Sequence, residues 1–311
     1  MRKTLSFLNK SISIQEALIL KTVALVTYQA SPQLSTSDQA LVAPLQEHGY
    51  KAVAVHWDHP GADWAGFDAV VLRSCWDYHT RPQEFRQWIE HLQHAGVSLY
   101  NSADTVLWNM EKTYLRTLAQ YGIKTIPTIW ATQDAPLELV EVLKTQGWSQ
   151  AVLKPTVGAS ADGIQIVTSQ TAAQQQASFE ALLAVGTVMI QPVIEEILEG
   201  ELSLIFFGRT LSHAILKRPG QGTIFVNSSY GGSYSTVDVA PHVVETAQHI
   251  LNVALTLTQE TAFLYARVDG VLVEGEFMLM ELELIEPGLF LDQAAAQRFA
   301  ATIESVIKGS L

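Results

Sequence analysis

Lys154-Pro155-Thr156-Val157-Gly158-Ala159-Ser160-Ala161-Asp162-Gly163 is the stretch that decides the fold. It lies between two short apolar runs, Ala151–Lys154 and Ile164–Thr168, and so reads as a loop joining two strands. Its two glycines and small residues let backbone N–H groups close on an anion, and Lys154 at a strand end adds a point charge. A nucleotide phosphate suits that chemistry. The run is not a Gly-x-x-x-x-Gly-Lys-[Ser/Thr] loop, since no Lys follows its second Gly, and no Gly-x-Gly-x-x-Gly stands in the first strand–helix unit. Taken alone, it also fits a plain hairpin loop with a surface lysine.

On the N-terminal side, short apolar strands alternate with helical periods: strands at Thr22–Tyr28, Ala52–Trp57, Phe67–Arg73 and Val97–Tyr100, and helices at Ser37–His48 and Pro82–His94. This pattern predicts an open parallel α/β sheet over 21–101, in which ligands sit at the carboxyl ends of strands. One of those ends carries Arg73-Ser74-Cys75-Trp76-Asp77-Tyr78. An α+β unit with short strands follows over 102–193, opened by a helix from Val106 to Tyr121 that carries Lys112. The last unit, 194–311, has strands at Glu201–Phe207 and Thr210–Lys217, a Gly-rich loop from Pro219 to Ser235, a helix from His242 to Leu255, a hairpin and a final helix from Ala294 to Ile307. Residues 1–20 form an extension before the first convincing strand.

The whole chain of 311 residues is long enough for about two ordinary domains. With 48% hydrophobic and 16% charged residues it is compact rather than disordered. A net charge of −12 disfavours nucleic acid and anionic lipid as general partners. The single cysteine, Cys75, excludes a disulfide framework and Cys-rich metal sites, and no apolar run reaches the roughly 18–20 residues of a membrane helix. The expectation is a cytoplasmic protein that does not bind membranes. No His pair has ligand spacing, and Ser74 and Cys75 lack a nucleophile elbow.

Acidic residues cluster near the C-terminus. Arg267-Val268-Asp269 and Glu281-Leu282-Glu283 flank a turn at Glu274-Gly275. Strict alternation puts Glu281 and Glu283 on the face of Phe277, Leu279 and Ile285, with Met278, Met280, Leu282 and Leu284 opposite. Carboxylates on a strand with two apolar faces are costly to bury unless a cation satisfies them. A register pairing Asp269 with Glu281 makes three carboxylates converge, and an oxygen-only set suits Mg²⁺ or Mn²⁺ better than zinc. The alternative is an edge strand with solvated acids.

The order and spacing of Lys112, Lys154, Met189-Ile190-Gln191-Pro192-Val193, Gly200-Glu201, Lys217, Arg267-x-Asp269 and Glu281-x-Glu283 resemble the ATP-grasp superfamily, whose two lobes clamp ATP. Arg73–Tyr78, Gly200-Glu201-Leu202-Ser203, Lys217-Arg218-Pro219, Tyr230-Gly231-Gly232 and Glu283-Leu284-Ile285-Glu286-Pro287 resemble the branch holding the cycloserine-forming cyclase, related to glutathione synthetase-like ligases. The resemblance implies a parallel-sheet α/β domain over 21–101, a small clamp lobe over 102–193 and a large lobe with the metal site over 194–311. It further implies that Lys112, Lys154 and Lys217 meet ATP phosphates and that the loop with Gly158, Ser160, Ala161 and Gly163 closes over them. Gln191, Pro192 and Val193 then meet the adenine, and Glu201 the ribose. Asp269, Glu281 and Glu283 hold two Mg²⁺ ions, and Arg267 steadies the charge in transfer. Two departures stand out: Glu283 replaces the usual Asn, and Phe225-Val226-Asn227 lacks the Arg often found there.

The reaction so implied is ATP-dependent activation of a small carboxylate, an amino acid, as an acylphosphate that an amine attacks. Phosphoryl transfer asks mainly for positioning and charge neutralisation, which such a set supplies without a protein nucleophile. The substrate carboxylate is assigned to Arg73, with Trp76, Asp77 and Tyr78 shaping the pocket, Asp77 a candidate for a substrate ammonium, and Tyr230, Gly231 and Gly232 part of a lid. Intramolecular cyclisation and a non-catalytic ATP-binding role are the rival readings. Homodimerisation follows only by analogy with relatives.

Overall fold

The computed structural model describes residues 21–159 and 162–309, so the expected extension and the loop residues Ser160 and Ala161 lie outside the described residues. The first sheet contains β1 (Lys21–Thr27), β2 (Tyr50–His56), β3 (Ala69–Leu72) and β4 (Leu99–Tyr100), all parallel in the order β2-β1-β3-β4. Val23 to Val26 are wholly buried, as an inner parallel strand covered on both faces requires. The helix Pro82–His94 starts on its proline and buries Phe85, Ile89 and Leu92 at helical spacing. The single helix expected over Ser37–His48 is instead two, Thr36–Gln39 and Val42–Glu47. Pro44 cannot donate to the Ala40 carbonyl and its ring crowds that group, so the helix restarts there.

A second sheet holds β5 (Ile129–Ala131), β6 (Gln150–Pro155), β7 (Gln165–Thr168) and β8 (Val188–Pro192), antiparallel in the order β5-β8-β6-β7. Helices Leu139–Gln146 and Ala172–Leu183 cover it through Leu139, Leu143, Phe179 and Leu183. The β6–β7 connection is the Lys154–Gly163 loop.

The third sheet comprises β9 (Glu201–Phe207), β10 (Thr210–Arg218), β11 (Ser233–Thr236), β12 (Tyr265–Val273) and β13 (Glu276–Glu283), antiparallel in the order β11-β10-β9-β12-β13. Its central strand, β9, splits its side chains by parity. Leu204 and Phe206 face the helix Pro241–Thr258, while Ile205 and Phe207 face the final helix Gln293–Ile307. That second core also takes in Val23 and Leu25 of β1, so the first and last units share one interior.

The expected helix from Val106 to Tyr121 is broken into Ala103–Asn109 and Tyr114–Gln120. Lys112 lies in the break, where its backbone N–H donates to Thr156 O at 2.8 Å. Both pieces are tied to the third sheet rather than the second. Asn109 and Tyr114 donate to Leu282 O at 2.8 Å each, and Leu115 and Leu118 join the core under the Pro241–Thr258 helix. Among the described residues, no helix is long and apolar enough to cross a membrane.

Candidate active site

A cavity of about 600 Å³ opens between the second and third sheets and the carboxyl end of the first. Sheet registry builds its wall. Glu201 on β9 stands opposite Lys217 on β10, Ser203 opposite Asp269 on β12, and Asp269 opposite Glu281 on β13, with Arg267 opposite Glu283. The expected pairing of Asp269 with Glu281 is therefore present. The expected alternation along β13 is not, because the register shifts between Asp269 and Gly270 and leaves Met280 as an extra residue. Phe277 and Leu279 before the bulge, and Leu282 and Leu284 after it, all enter the same core. Glu281, Glu283 and Met280 face the cavity instead. Gly270 is required at this point, since a Cβ there would stand 2.3 Å from Met278 O.

The charges are paired internally. Lys112 Nζ lies 3.1 Å from Glu281 Oε1 and donates to Gly158 O at 2.6 Å. Lys217 contacts Glu201 and lies 3.3 Å from Asp269 Oδ2. Arg267 Nε donates to both Asp269 oxygens at 3.0 Å, Nη2 contacts Glu283, and Nη1 donates to Gly288 O at 3.0 Å. Ser203 Oγ donates to Asp269 Oδ1 at 2.5 Å. Burial alone would raise Asp269, but Arg267 and Lys217 overcome it and hold the carboxyl at about 2. Burial also raises Glu283; Arg267 offsets part of that and Glu281 adds to it, leaving it pushed up to about 8. Lys154 is lowered by burial, while Lys217 rises because Asp269 and Glu201 outweigh the same effect.

Lys112, Lys154, Gly158, Gln191, Pro192, Val193, Glu201, Lys217, Arg267, Asp269, Glu281, Glu283, Trp76 and Tyr78 all line this one cavity. Its apolar part is walled by Val152, Met189, Ile197 and Met280, a seat for a flat ring beside the Gln191–Val193 strand end. Gln191 Nε2 donates to Thr128 Oγ1 at 2.9 Å, and the Val193 N–H makes only a long 3.4 Å bond to Gln150 O. The three acids do not surround one point: among the described residues no group of three His, Cys, Asp or Glu side chains is poised to hold a metal. Lys112 and Arg267 draw Glu281 and Glu283 to themselves. The donors are nevertheless all oxygens, a set that fits a hard divalent cation such as Mg²⁺.

Several residues assigned to the substrate stand off this cavity wall. Arg73 is fully buried away from the cavity. It donates from Nε to Asp38 Oδ1 at 3.0 Å and to the Leu72 and Pro287 carbonyls at 3.2 and 2.9 Å, with the Tyr265 ring centroid 5.2 Å away. With its donors spent, it is a strut between the first and third sheets. Asp77 accepts from Trp57 Nε1 at 2.8 Å and Arg81 Nη2 at 2.7 Å, and it too is off the wall. Tyr230, Gly231 and Gly232 also stand back, whereas the adjoining Ile224–Ser229 line the cavity. Gly232 serves the loop's close turn, since a Cβ there would lie 2.1 Å from Val226 O. Gly163 is off the wall as well.

Sequence reasoning assigned no role to Glu286, Tyr234 or Phe290, all on the cavity wall. Glu286 stood inside the quoted Glu283–Pro287 motif, which was its only signal. Tyr234 lies on the short strand β11, inside the stretch expected to be a Gly-rich loop, with its ring 5.0 Å from that of Phe290.

Residues 23–101 match the family model described as "D-cycloserine synthetase DcsG, N-terminal domain". Over 297 residues the chain is 30% identical to the cycloserine biosynthesis protein DcsG of Streptomyces lavendulae, covering 92% of this chain and 99% of that protein. The crystal structure of D-cycloserine synthetase DcsG superposes with a TM-score of 0.82 at 27% identity, over 92% of this chain and 99% of the other. A D-alanine–D-alanine ligase from Bacillus anthracis complexed with ATP shares the fold at a TM-score of 0.65 and 16% identity, over 93% and 97% of the two chains. The chain belongs to the ATP-grasp family of ATP-dependent carboxylate–amine ligases, on the branch that includes DcsG.

Proposed function

We propose that the protein activates the carboxylate of a small molecule, an amino acid, as an acylphosphate that an amine then attacks. The observation that carries this is one cavity shared by three lysines, Lys112, Lys154 and Lys217, and three acids, Asp269, Glu281 and Glu283. The β,γ P–O bond of ATP breaks as the γ-phosphoryl group passes to a carboxylate oxygen; the amine then adds to the acyl carbon, and inorganic phosphate and a proton leave. On this reading the lysines orient the phosphates, the 158–163 loop covers them, and Arg267 offsets charge on the transferring group. Asp269, Glu281 and Glu283 would hold two Mg²⁺ ions, or Mn²⁺, which supply charge neutralisation when bound. Gln191–Val193 meet the adenine edge and Glu201 the ribose. Enclosure of the site by the second and third sheets keeps water from the acylphosphate.

Cyclisation within one activated molecule is the second reading, favoured by 30% identity along nearly the whole of a cycloserine biosynthesis protein. The test is ADP formation with the proteinogenic amino acids in both configurations and with short carboxylates. Hydroxylamine added as the attacking amine traps an acylphosphate as hydroxamate. A hydroxamate is expected with at least one acid, and mass analysis of the natural product separates ligation from ring closure. Glu281→Ala should abolish it with little loss of fold. ATP binding without ADP release for any acid would support the non-catalytic role instead.

A further inference from the structure

Each acid considered so far in the cavity has a cationic partner: Glu201 and Asp269 have Lys217, Asp269 and Glu283 have Arg267, and Glu281 has Lys112. Glu286 is different. Only 7% exposed and on the same wall, its carboxylate meets no cation within 4.0 Å and no side-chain hydrogen-bond donor among the described residues. A buried charge left without a partner is costly and calls for a cation from outside. We propose that Glu286 is the anchor for the ammonium group of the substrate, so that the enzyme selects α-amino acids over carboxylic acids that lack the amine. This rests on the ligase reading above and adds the group that chooses the substrate.

The surroundings favour an ammonium ion over a metal. Trp76 lies against the Glu286 backbone and Tyr78 lines the same cavity close to the Glu286 charge, and aromatic faces attract an organic ammonium. The position is also fixed in advance. Trp76 Nε1 donates to Glu286 O at 3.2 Å and Arg73 Nη2 to Pro287 O at 2.9 Å, so two side chains of the first unit hold the backbone that carries the carboxylate. Asp77, the other candidate for this role, is already taken by Arg81 and Trp57. In support, burial raises the Glu286 carboxyl; Lys112 offsets part of this and Glu281 adds to it, for a value of about 7, a penalty that an arriving cation relieves.

The test compares wild type with Glu286→Gln, which keeps shape and removes charge, and with Glu286→Asp. Amino-acid binding is measured by calorimetry with a non-hydrolysable ATP analogue and Mg²⁺ present, alongside ADP formation, using each amino acid and its des-amino counterpart. Wild type is expected to bind amino acids and reject the des-amino acids. Glu286→Gln should weaken amino-acid binding and raise its KM by about 10- to 100-fold, the range of a charged hydrogen bond. Affinity for the ATP analogue should stay unchanged, which also shows that the variant is folded. Glu286→Asp should fall between the two. The proposal is overturned if Glu286→Gln leaves amino-acid affinity and selectivity intact, if it shifts only the Mg²⁺ or nucleotide dependence, or if wild type binds no amino acid. Binding that depends on Glu286 in a protein that never forms ADP would remove the ligase reading and leave this one standing.

Discussion

Arg73→Met separates a strut from a substrate ligand. The guanidinium is 0% exposed and its partner Asp38 is 2% exposed, with Nη2 to Oδ1 at 2.9 Å. Removing it leaves Asp38 charged in the interior with only the Ser35 hydroxyl donating to it, at 2.8 Å, and the Pro287 carbonyl without its donor, while Leu72 O keeps the Tyr265 hydroxyl at 2.9 Å. Breaking a buried pair from one side costs about 3–5 kcal/mol. In a protein of this size each kcal/mol moves Tm by roughly 2 °C, so a loss of about 6–10 °C is expected in differential scanning calorimetry. Adding Asp38→Asn removes the stranded charge, and the double variant should recover about 1–3 kcal/mol relative to the sum of the singles. Below the transition, the KM of the best amino acid should rise by less than about tenfold, since Arg73 itself lies off the cavity wall and Trp76 Nε1 still holds the Glu286 carbonyl once the Pro287 contact is lost. An unchanged Tm together with a large rise in KM would refute the strut and return Arg73 to the substrate.

Asn101→Ala should cost about 2–4 kcal/mol in thermal unfolding, because the side chain accepts from Leu264 N–H at 2.7 Å and donates to Tyr265 O and Leu284 O at 3.0 and 2.7 Å, all buried; a loss under about 0.5 kcal/mol would mean that water takes its place. Lys154→Met should weaken binding of a non-hydrolysable ATP analogue about tenfold or more by calorimetry while leaving nucleotide-free Tm equal or higher, since the ammonium pays for burial with no carboxylate within 4.0 Å among the described residues. Its pKa is lowered in the fold, so between the folded value and the ordinary lysine value the unfolded chain binds the extra proton and wild type gains stability with rising pH. The Tm difference between wild type and variant should therefore narrow as pH climbs toward the ordinary lysine value, and a widening gap would reverse the assignment.

What could be read in advance was whatever depends on local periodicity. The apolar run of β1, the proline-started helix Pro82–His94 and the two-residue turn at Glu274-Gly275 are each written within a few residues, but that turn alone would set Asp269 opposite Met280 rather than Glu281. What could not be read depends on partners far away in sequence. The bulge at Met280 shows only once β12 is laid beside it, and it alone turns Glu281 toward the cavity. Arg73 stands at a strand end as a ligand-binding residue would, but Asp38 and Pro287, 35 and 214 positions away, claim its donors. The break that carries Lys112 has no glycine or proline to announce it; the turn is held by Thr156 O, across the chain.

The pairing of charges bears on how such a site can be stable before it meets a nucleotide. Four acids lining a cavity at the edge of an apolar sheet would repel one another and lose hydration, and the high Glu283 value records what is left of that cost. The cations that relieve them, Lys112, Lys217 and Arg267, are the same groups that on the proposed reading turn to the phosphates. A triphosphate arriving alone would take the lysines and strand the carboxylates, and a divalent ion arriving alone would add charge beside ammonium groups already in place. Arriving together, they exchange every internal pair for an external one without stranding either sign. Glu286 is the exception within this exchange, since among the described residues no cation stands within 4.0 Å of it to be given up, and that asymmetry is the physical reason to look for its partner on the remaining substrate.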